Sequence, residues 1–199
     1  MYGGFRSLIP AAILADYEVH EWRNATAILS TAYPTEWADI LAVLGSFKLC
    51  HSFIATGGGN KSNVSGTLDA ALYGRGWIEK KFETAIVLDG VKVDSPTHKI
   101  DCYKNTVGLE IEWNNKDPFF DRDLNNFRLL FELRALAVGV IVTRCDELQS
   151  LFESLGRGPS YGMSTTHMSK LLPKIEGGGA GGCPTLVFGI SKKLYDPNC

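Results

Sequence analysis

Residues 99–113 read Lys-Ile-Asp-Cys-Tyr-Lys-Asn-Thr-Val-Gly-Leu-Glu-Ile-Glu-Trp. From Val107 onward the pattern alternates: Val107, Leu109, Ile111 and Trp113 fall on one face of an extended chain, and Gly108, Glu110 and Glu112 on the other. The spacing predicts a strand whose apolar face meets the core and whose opposite face carries two carboxylates. Lys99 to Cys102 reads as an antiparallel neighbour joined through a Lys104-Asn105 turn, which would return Asp101 to the same end of the strand as Glu110.

Further along, Asp117-Pro118 supplies an N-cap and a first-turn proline for a helix to about Leu136, with an apolar stripe at Phe120, Leu124, Phe127 and Phe131. Val138 to Thr143 is an uninterrupted apolar run, as in a strand covered on both faces, and Asp146 is placed to cap a helix to Leu155. Strand, helix, strand implies a parallel crossover. A polar stretch follows, then Leu171 to Ile175, a glycine-rich segment, and a last strand from Pro184 to Ile190.

Upstream, Asp16 to Trp22 alternates like a strand, and Asn24 to Ser30 and Thr35 to Leu44 read as helices, the second capped by Thr35. Thr67 to Tyr73 and Gly76 to Phe82 suggest helical turns around a Gly-Arg-Gly break. Ala85 to Val93 contains two β-rich runs joined by Asp89-Gly90, a hairpin. The expected fold is α/β, a central mixed β-sheet flanked by helices, in one domain over residues 1–199.

With 45% hydrophobic and 21% charged residues among 199, the chain has a globular composition and enough length for a sizeable core. Its net charge of -2 provides no global basic field, so a polyanionic partner has to be recognised locally. The longest apolar stretch, Ala135 to Val142, is far short of the ~20 residues that cross a bilayer. Asp16 and Glu18 spoil any secretory signal near the N-terminus, and the expected location is cytoplasmic, with no membrane partner. Cys50, Cys102, Cys145, Cys183 and Cys199 are odd in number, widely spaced and without a C-x-x-C pair, so reduced thiols are expected.

Glu110 and Glu112 are two apart on a strand, with Cα atoms ~6.5–7 Å apart, close enough to share a hard cation or bracket a phosphate. The alternative is a solvated strand face. Gly158-Pro159-Ser160-Tyr161-Gly162 matches G-x-S-x-G, but it follows a helix, and only His167 lies downstream, with no acid between. The Ala55 to Ser62 stretch has Asn60 where a P-loop needs glycine before Lys61. His20, His51, His98 and His167 show no metal-ligand spacing.

Asp101, eight residues, then Glu110-Ile111-Glu112 resembles the active-site signature of the PD-(D/E)xK nuclease superfamily. The usual third-position lysine is Glu112 here, a departure shared by BamHI and, as Gln, by BglII and BstYI. The resemblance to the BglII/BstYI group of type II restriction endonucleases extends over most of the chain in order: YEVHEWRNATAIL, EWADILAVL, GGGNKSN with GRGWIEKKF, KIDCYK, VGLEIEWNNKDPFF, VGVIVTR and PTLVFGI. It implies a restriction-endonuclease-like fold, with Asp101, Glu110 and the Ile111 carbonyl as Mg²⁺ ligands and Asp101, Glu110 and Glu112 as catalytic residues. Glu112 would accept a proton from water, bind a second metal or orient water. The resemblance further implies double-stranded DNA as substrate, a homodimer matching a palindrome, and a methyltransferase as genetic partner. GATC-centred sites occur in the group, but the base-reading loops match least, and that specificity does not carry over.

Amides and hydroxyls suited to base edges occur at Asn60 to Asn63 (with Lys61 and Ser62), at Asn114 and Asn115 before Lys116, and at Ser164, Thr165, Thr166 and His167. Asn115 matches an asparagine of the BglII-type motif. Arg157, Lys170, Lys174, Lys192 and Lys193 against Glu176 make the 157–193 region locally basic, as phosphate contacts require. Two other readings fit the same residues: a structure-selective or repair nuclease of the same fold, and a non-catalytic DNA-binding module whose acidic strand face is inert.

Overall fold

A computed structural model describes residues 4–56, 61–94 and 97–199. In chain order its elements are α1 (Ala11–Asp16), β1 (Tyr17–Trp22), α2 (Ala25–Ala32), α3 (Pro34–Ser46), β2 (Leu49–Cys50), α4 (His51–Ala55) and α5 (Asn63–Tyr73). There follow β3 (Ile78–Lys80), β4 (Ala85–Leu88), β5 (Val91–Asp94), β6 (Ile100–Lys104), β7 (Val107–Ile111), α6 (Pro118–Glu132) and β8 (Val138–Arg144). The chain finishes with α7 (Leu148–Ser154), α8 (Met168–Glu176), β9 (Thr185–Ile190) and β10 (Tyr195–Asp196). No helix among the described residues is long and apolar enough to cross a membrane.

Six strands form one mixed sheet in the order β1-β9-β8-β7-β6-β3. The three central strands β7, β8 and β9 run parallel, and the flanking pairs are antiparallel. The fold is therefore the α/β type expected from the sequence. Val140, Val142, Leu186 and Phe188 point into a core shared with α2, α3, α5 and α7. Ile141 and Val187, on the other face, meet Phe120, Leu124, Phe127 and Leu130 of α6 and Met168, Leu171 and Ile175 of α8. Both faces are thus covered, which is why β8 reads as a continuous apolar run. Gly139 is required there: a Cβ would overlap the Phe127 ring of α6.

The hairpin β6–β7 forms as its alternation predicts, with Cys102 opposite Leu109. Its turn is displaced by one residue: Asn105 and Thr106 take positive φ of 46° and 67°. Three contacts from α3 and the residue before it hold this uncommon backbone. Asn105 donates to Glu36, Thr106 Oγ1 to the Tyr33 hydroxyl, and Lys104 to Asp39. In the β4–β5 hairpin Asp89 and Gly90 both have positive φ, the backbone of a two-residue primed turn.

Four local expectations are corrected. Residues 76–82 are not helical, because Ile78 and Lys80 pair with β6 as an edge strand while Trp77 enters the core. Thr35 is not the cap of α3: Pro34 takes the first turn and Tyr33 precedes it. Asp146 does not cap α7 but accepts from the backbone N–H and hydroxyl of Ser169. Helix α6 stops at Glu132, short of Leu136, as Arg134 turns to a φ of 58°.

The expectation of wholly reduced cysteines is also overturned. Cys50 and Cys199 are joined in a disulfide, while Cys102, Cys145 and Cys183 are free and buried. The pairing arises because β10 lies parallel to β2, bringing the two ends of a 149-residue separation together.

Candidate active site

The ladder between β6 and β7 gives way beyond Cys102 and Leu109, and side chains take over its bonding. Asp101 Oδ2 accepts from the Ile111 N–H at 3.1 Å, and Glu110 Oε2 accepts from the Asp101 N–H at 3.2 Å. Two carboxylates thus interlock across two strands. The Ile111 N–H faces β6, so its carbonyl, which shares that direction in an extended strand, faces β6 as well. The neighbouring Glu112 N–H points the other way, to the Val142 carbonyl of β8.

The polar face of β7 is not solvated. Glu110 and Glu112 are each only 1% exposed, because α6 lies over them. One oxygen of Glu110, Oε1, is buried without a hydrogen-bond partner. Such a group is costly unless the site serves a purpose that occupies it. Glu112 accepts from Asn115 Nδ2 at 2.7 Å through one oxygen and from Arg122 Nη2 at 3.2 Å through the other.

Electrostatics follow from this burial. Burial above all, opposed by the Ile111 N–H, pushes the Asp101 carboxyl up to about 6. Glu110 lies well above the usual carboxylate range through burial, then repulsion from Asp123 and Asp101. Burial and Asp123 push Glu112 up to about 9. Asp123, fully buried on α6, is likewise raised by burial, and its Oδ2 has no partner.

Asp101, Ile111, Glu112 and Asn115 open onto a cleft of about 280 Å³ that Lys61 and Ser62 also line. Lys61 forms an ion pair with the buried Asp69 of α5, which also accepts from the Cys102 thiol. Ser62 is the N-cap of α5 and accepts from the Ser65 N–H.

The remaining anticipated DNA contacts divide. Asn60 lies outside the described residues. Asn63 is exposed and donates to Thr56. Asn114, at a positive φ of 59°, donates to the Ser160 carbonyl, and Lys116 and Ser164 are exposed. Thr165 is bound by Arg144 and bridges Lys116, while Thr166 and His167 are turned inward at 0% and 2% exposure. The reason is structural: Thr166 closes a two-way bond with the Asn115 backbone, and His167 contacts Asp146 and Ser169 at the start of α8. The G-x-S-x-G stretch is a 3-10 turn, without the strand a nucleophile elbow needs.

Arg122 and Asp123 escaped the reading of the sequence. The available signal was an acid three residues after Phe120 and four before Phe127, hence on the apolar stripe of an amphipathic helix.

With acids and Asn115 gathered at the edge of the central parallel strands, the comparison with known families becomes informative. The model of the restriction endonuclease family BglII/BglIII matches residues 17–190. The chain belongs to that family. Membership makes it a restriction endonuclease, a nucleic-acid hydrolase, and explains the mixed sheet. No curated protein is similar enough to count as a match.

Among the described residues no group of three or more His, Cys, Asp or Glu side chains could hold a metal ion. The ligand set implied for this BglII-type site has only two carboxylates and a backbone carbonyl. Those donors are hard oxygens, and the unpartnered Oε1 of Glu110 is a free ligand atom among them, so the residues fit a hard divalent cation.

Proposed function

We propose that this BglII-family chain is a type II restriction endonuclease that makes Mg²⁺-dependent double-strand cuts at a short palindromic DNA sequence, acting as a C2 homodimer in the cytoplasm. The observation that carries the reading is the convergence of Asp101 and Glu110 where β6 and β7 part, with Glu110 Oε1 buried and unpartnered.

Asp101, Glu110 and the Ile111 carbonyl would hold the cation. When bound, Mg²⁺ lowers the pKa of a water and offsets charge developing on the phosphate. Glu112 sits one strand pleat away, fixed by Asn115 and Arg122, and orients the attacking water. The interlocked bonds, from the Ile111 N–H to the Asp101 carboxylate and from the Asp101 N–H to the Glu110 carboxylate, set the ligands on rigid strands, so little reorganisation is left to the reaction. Lys61, Asn63, Asn114, Lys116 and Ser164 flank this centre as DNA contacts, while Asn115 acts through Glu112. A two-fold protein matches a two-fold site, each subunit cutting one strand. A methyltransferase encoded nearby is the expected genetic partner.

Digestion of unmethylated phage DNA tests the proposal. Discrete fragments that vanish with a chelator are expected, and a smear would instead indicate a structure-selective nuclease. Asp101→Asn and Glu110→Gln are expected to lower cleavage at least about 1,000-fold with DNA binding retained, since each removes a cation ligand and a charge that repels phosphate. Undiminished cleavage by either purified variant would sink the assignment.

A further inference from the structure

Arg122 belongs to no part of the mechanism above except as a contact of Glu112. We propose that it is a catalytic residue whose guanidinium binds the scissile phosphate and supplies there the positive charge that the carboxylate of Glu112 cannot. This inference rests on the nuclease reading and adds the group that meets the substrate's charge.

Its position is the first argument. Arg122 lines the cleft together with Asp101, Glu112 and Asn115, and its side chain is 31% exposed, so its tip reaches the space a substrate would enter. The second is preorganisation. Nε and Nη2 lie 2.8 and 2.7 Å from Asp123 Oδ1, Nη2 also reaches Glu112 Oε1 at 3.2 Å, and the guanidinium carbon stands 4.2 Å from the Phe119 ring centroid. Two acids and one ring therefore fix the plane of the group. A planar fork held in this way loses little freedom when it binds an anion.

The third argument is donor capacity. A guanidinium carries five N–H groups, and the contacts above use those on Nε and Nη2. Among the described residues Nη1 has no hydrogen-bond partner, which leaves two donors for a phosphate oxygen. Charge is the fourth. Asp101, Glu110, Glu112 and Asp123 gather around this end of the cleft, and an approaching phosphate needs a cation besides any bound metal. The lining has three basic side chains: Lys61, paired with the buried Asp69; His98, which burial and then the nearby Arg122 push toward its neutral form; and Arg122. Asp123 is then a positioning residue, a fully buried acid that aims Arg122. No bond is made or broken at Arg122 and no proton moves; it stabilises charge on the non-bridging oxygens as water displaces the leaving oxygen.

A purely structural role, in which Arg122 only neutralises Asp123 and Glu112, predicts indifference to the charge of the substrate. The test uses a duplex carrying the site mapped from wild-type digestion, and the same duplex with an uncharged methylphosphonate at the scissile position. Arg122→Gln is expected to lower single-turnover cleavage with Mg²⁺ by about 100- to 1,000-fold. In chelator it is expected to bind the normal duplex about tenfold more weakly by fluorescence anisotropy. The methylphosphonate duplex should bind wild type and variant alike. Arg122→Lys keeps the charge without the fork, and intermediate cleavage is expected from it should the glutamine variant not fold. Wild-type cleavage rates in both variants, or equal affinity losses on the two duplexes, would overturn the role. Failure of the wild-type protein to cut any DNA sinks the nuclease reading itself, which keeps the two failures apart.

Discussion

Glu110 shows what a buried acid costs the fold. At 1% exposure, with one oxygen unpartnered and Asp123 and Asp101 repelling its charged form, it is a poor residue for stability and a good one for binding a cation. Glu110→Gln is accordingly expected to stabilise the metal-free protein by about 1–2 kcal/mol, because a neutral amide replaces the carboxyl and offers N–H donors to the surrounding acids. Urea denaturation in chelator measures this, and an unchanged or lowered midpoint contradicts it. The alternation of residues 107–113 already placed Glu110 and Glu112 on one face, and the turn at Asn105 returned Asp101 to them. That this face would be buried was not legible. The helix covering it carries Asp123 and Arg122, which were visible only as a charged pair beside a phenylalanine stripe, and whether such a pair faces solvent depends on tertiary packing. For the same reason Thr166 and His167 looked like free donors in a polar loop, although both are buried.

Among the elements, the β6–β7 hairpin matters most, and α3 holds it. Trp77 and Lys104 both donate to Asp39 Oδ2, at 3.1 and 2.8 Å, and Arg75 stands 3.6 Å from Oδ1. Burial works against the charged form of Asp39, but these donors and cations outweigh it and hold the carboxyl below its ordinary value. A depressed acid contributes stability that is present above its ordinary pKa and is lost as pH falls through the folded value. Unfolding followed by urea between pH 6 and pH 3 should therefore show a fall at the acidic end that is shallower in Asp39→Asn. At pH 7 the same variant should cost about 1.5–3 kcal/mol, the range for hydrogen bonds to a charged group. Identical pH profiles for the two proteins would remove Asp39 as the anchor. Strands with strong alternation or unbroken β-branched runs, β1, β7, β8 and β9, were readable because their burial pattern is local. Strand β3 was not: three residues at the sheet edge, two of them exposed, carry no period, and their pairing with β6 is a long-range fact.

At the scale of the molecule, a mixed sheet flanked by helices could be inferred from the order of strand and helix signals, but the joining of residues 50 and 199 could not. Cys50 and Cys199 carry no local spacing pattern, and they become partners only because β10 docks parallel to β2. The Ser52 N–H bonds the Cys199 carbonyl, and His51 Nδ1 lies 2.9 Å from the Tyr195 hydroxyl, so non-covalent contacts define this junction too. A crosslink over 149 residues restricts the unfolded chain strongly, by about 5 kcal/mol in the chain-entropy view, and a reducing compartment would remove that share. Strands β6 and β7 lie in the six-stranded sheet, whose ladder does not include β2 or β10. Reduction with a dithiol is therefore expected to lower the unfolding free energy of wild type by roughly 2–5 kcal/mol, seen as a lower urea midpoint, while leaving cleavage of DNA under native conditions within about twofold. Cys50→Ser should start at the lower midpoint and respond no further to the dithiol. If thiol titration of the unfolded, unreduced protein finds all five cysteines reactive, or if wild type and Cys50→Ser unfold together without reductant, the ends of this sheet are held by β2, β10 and their hydrogen bonds alone.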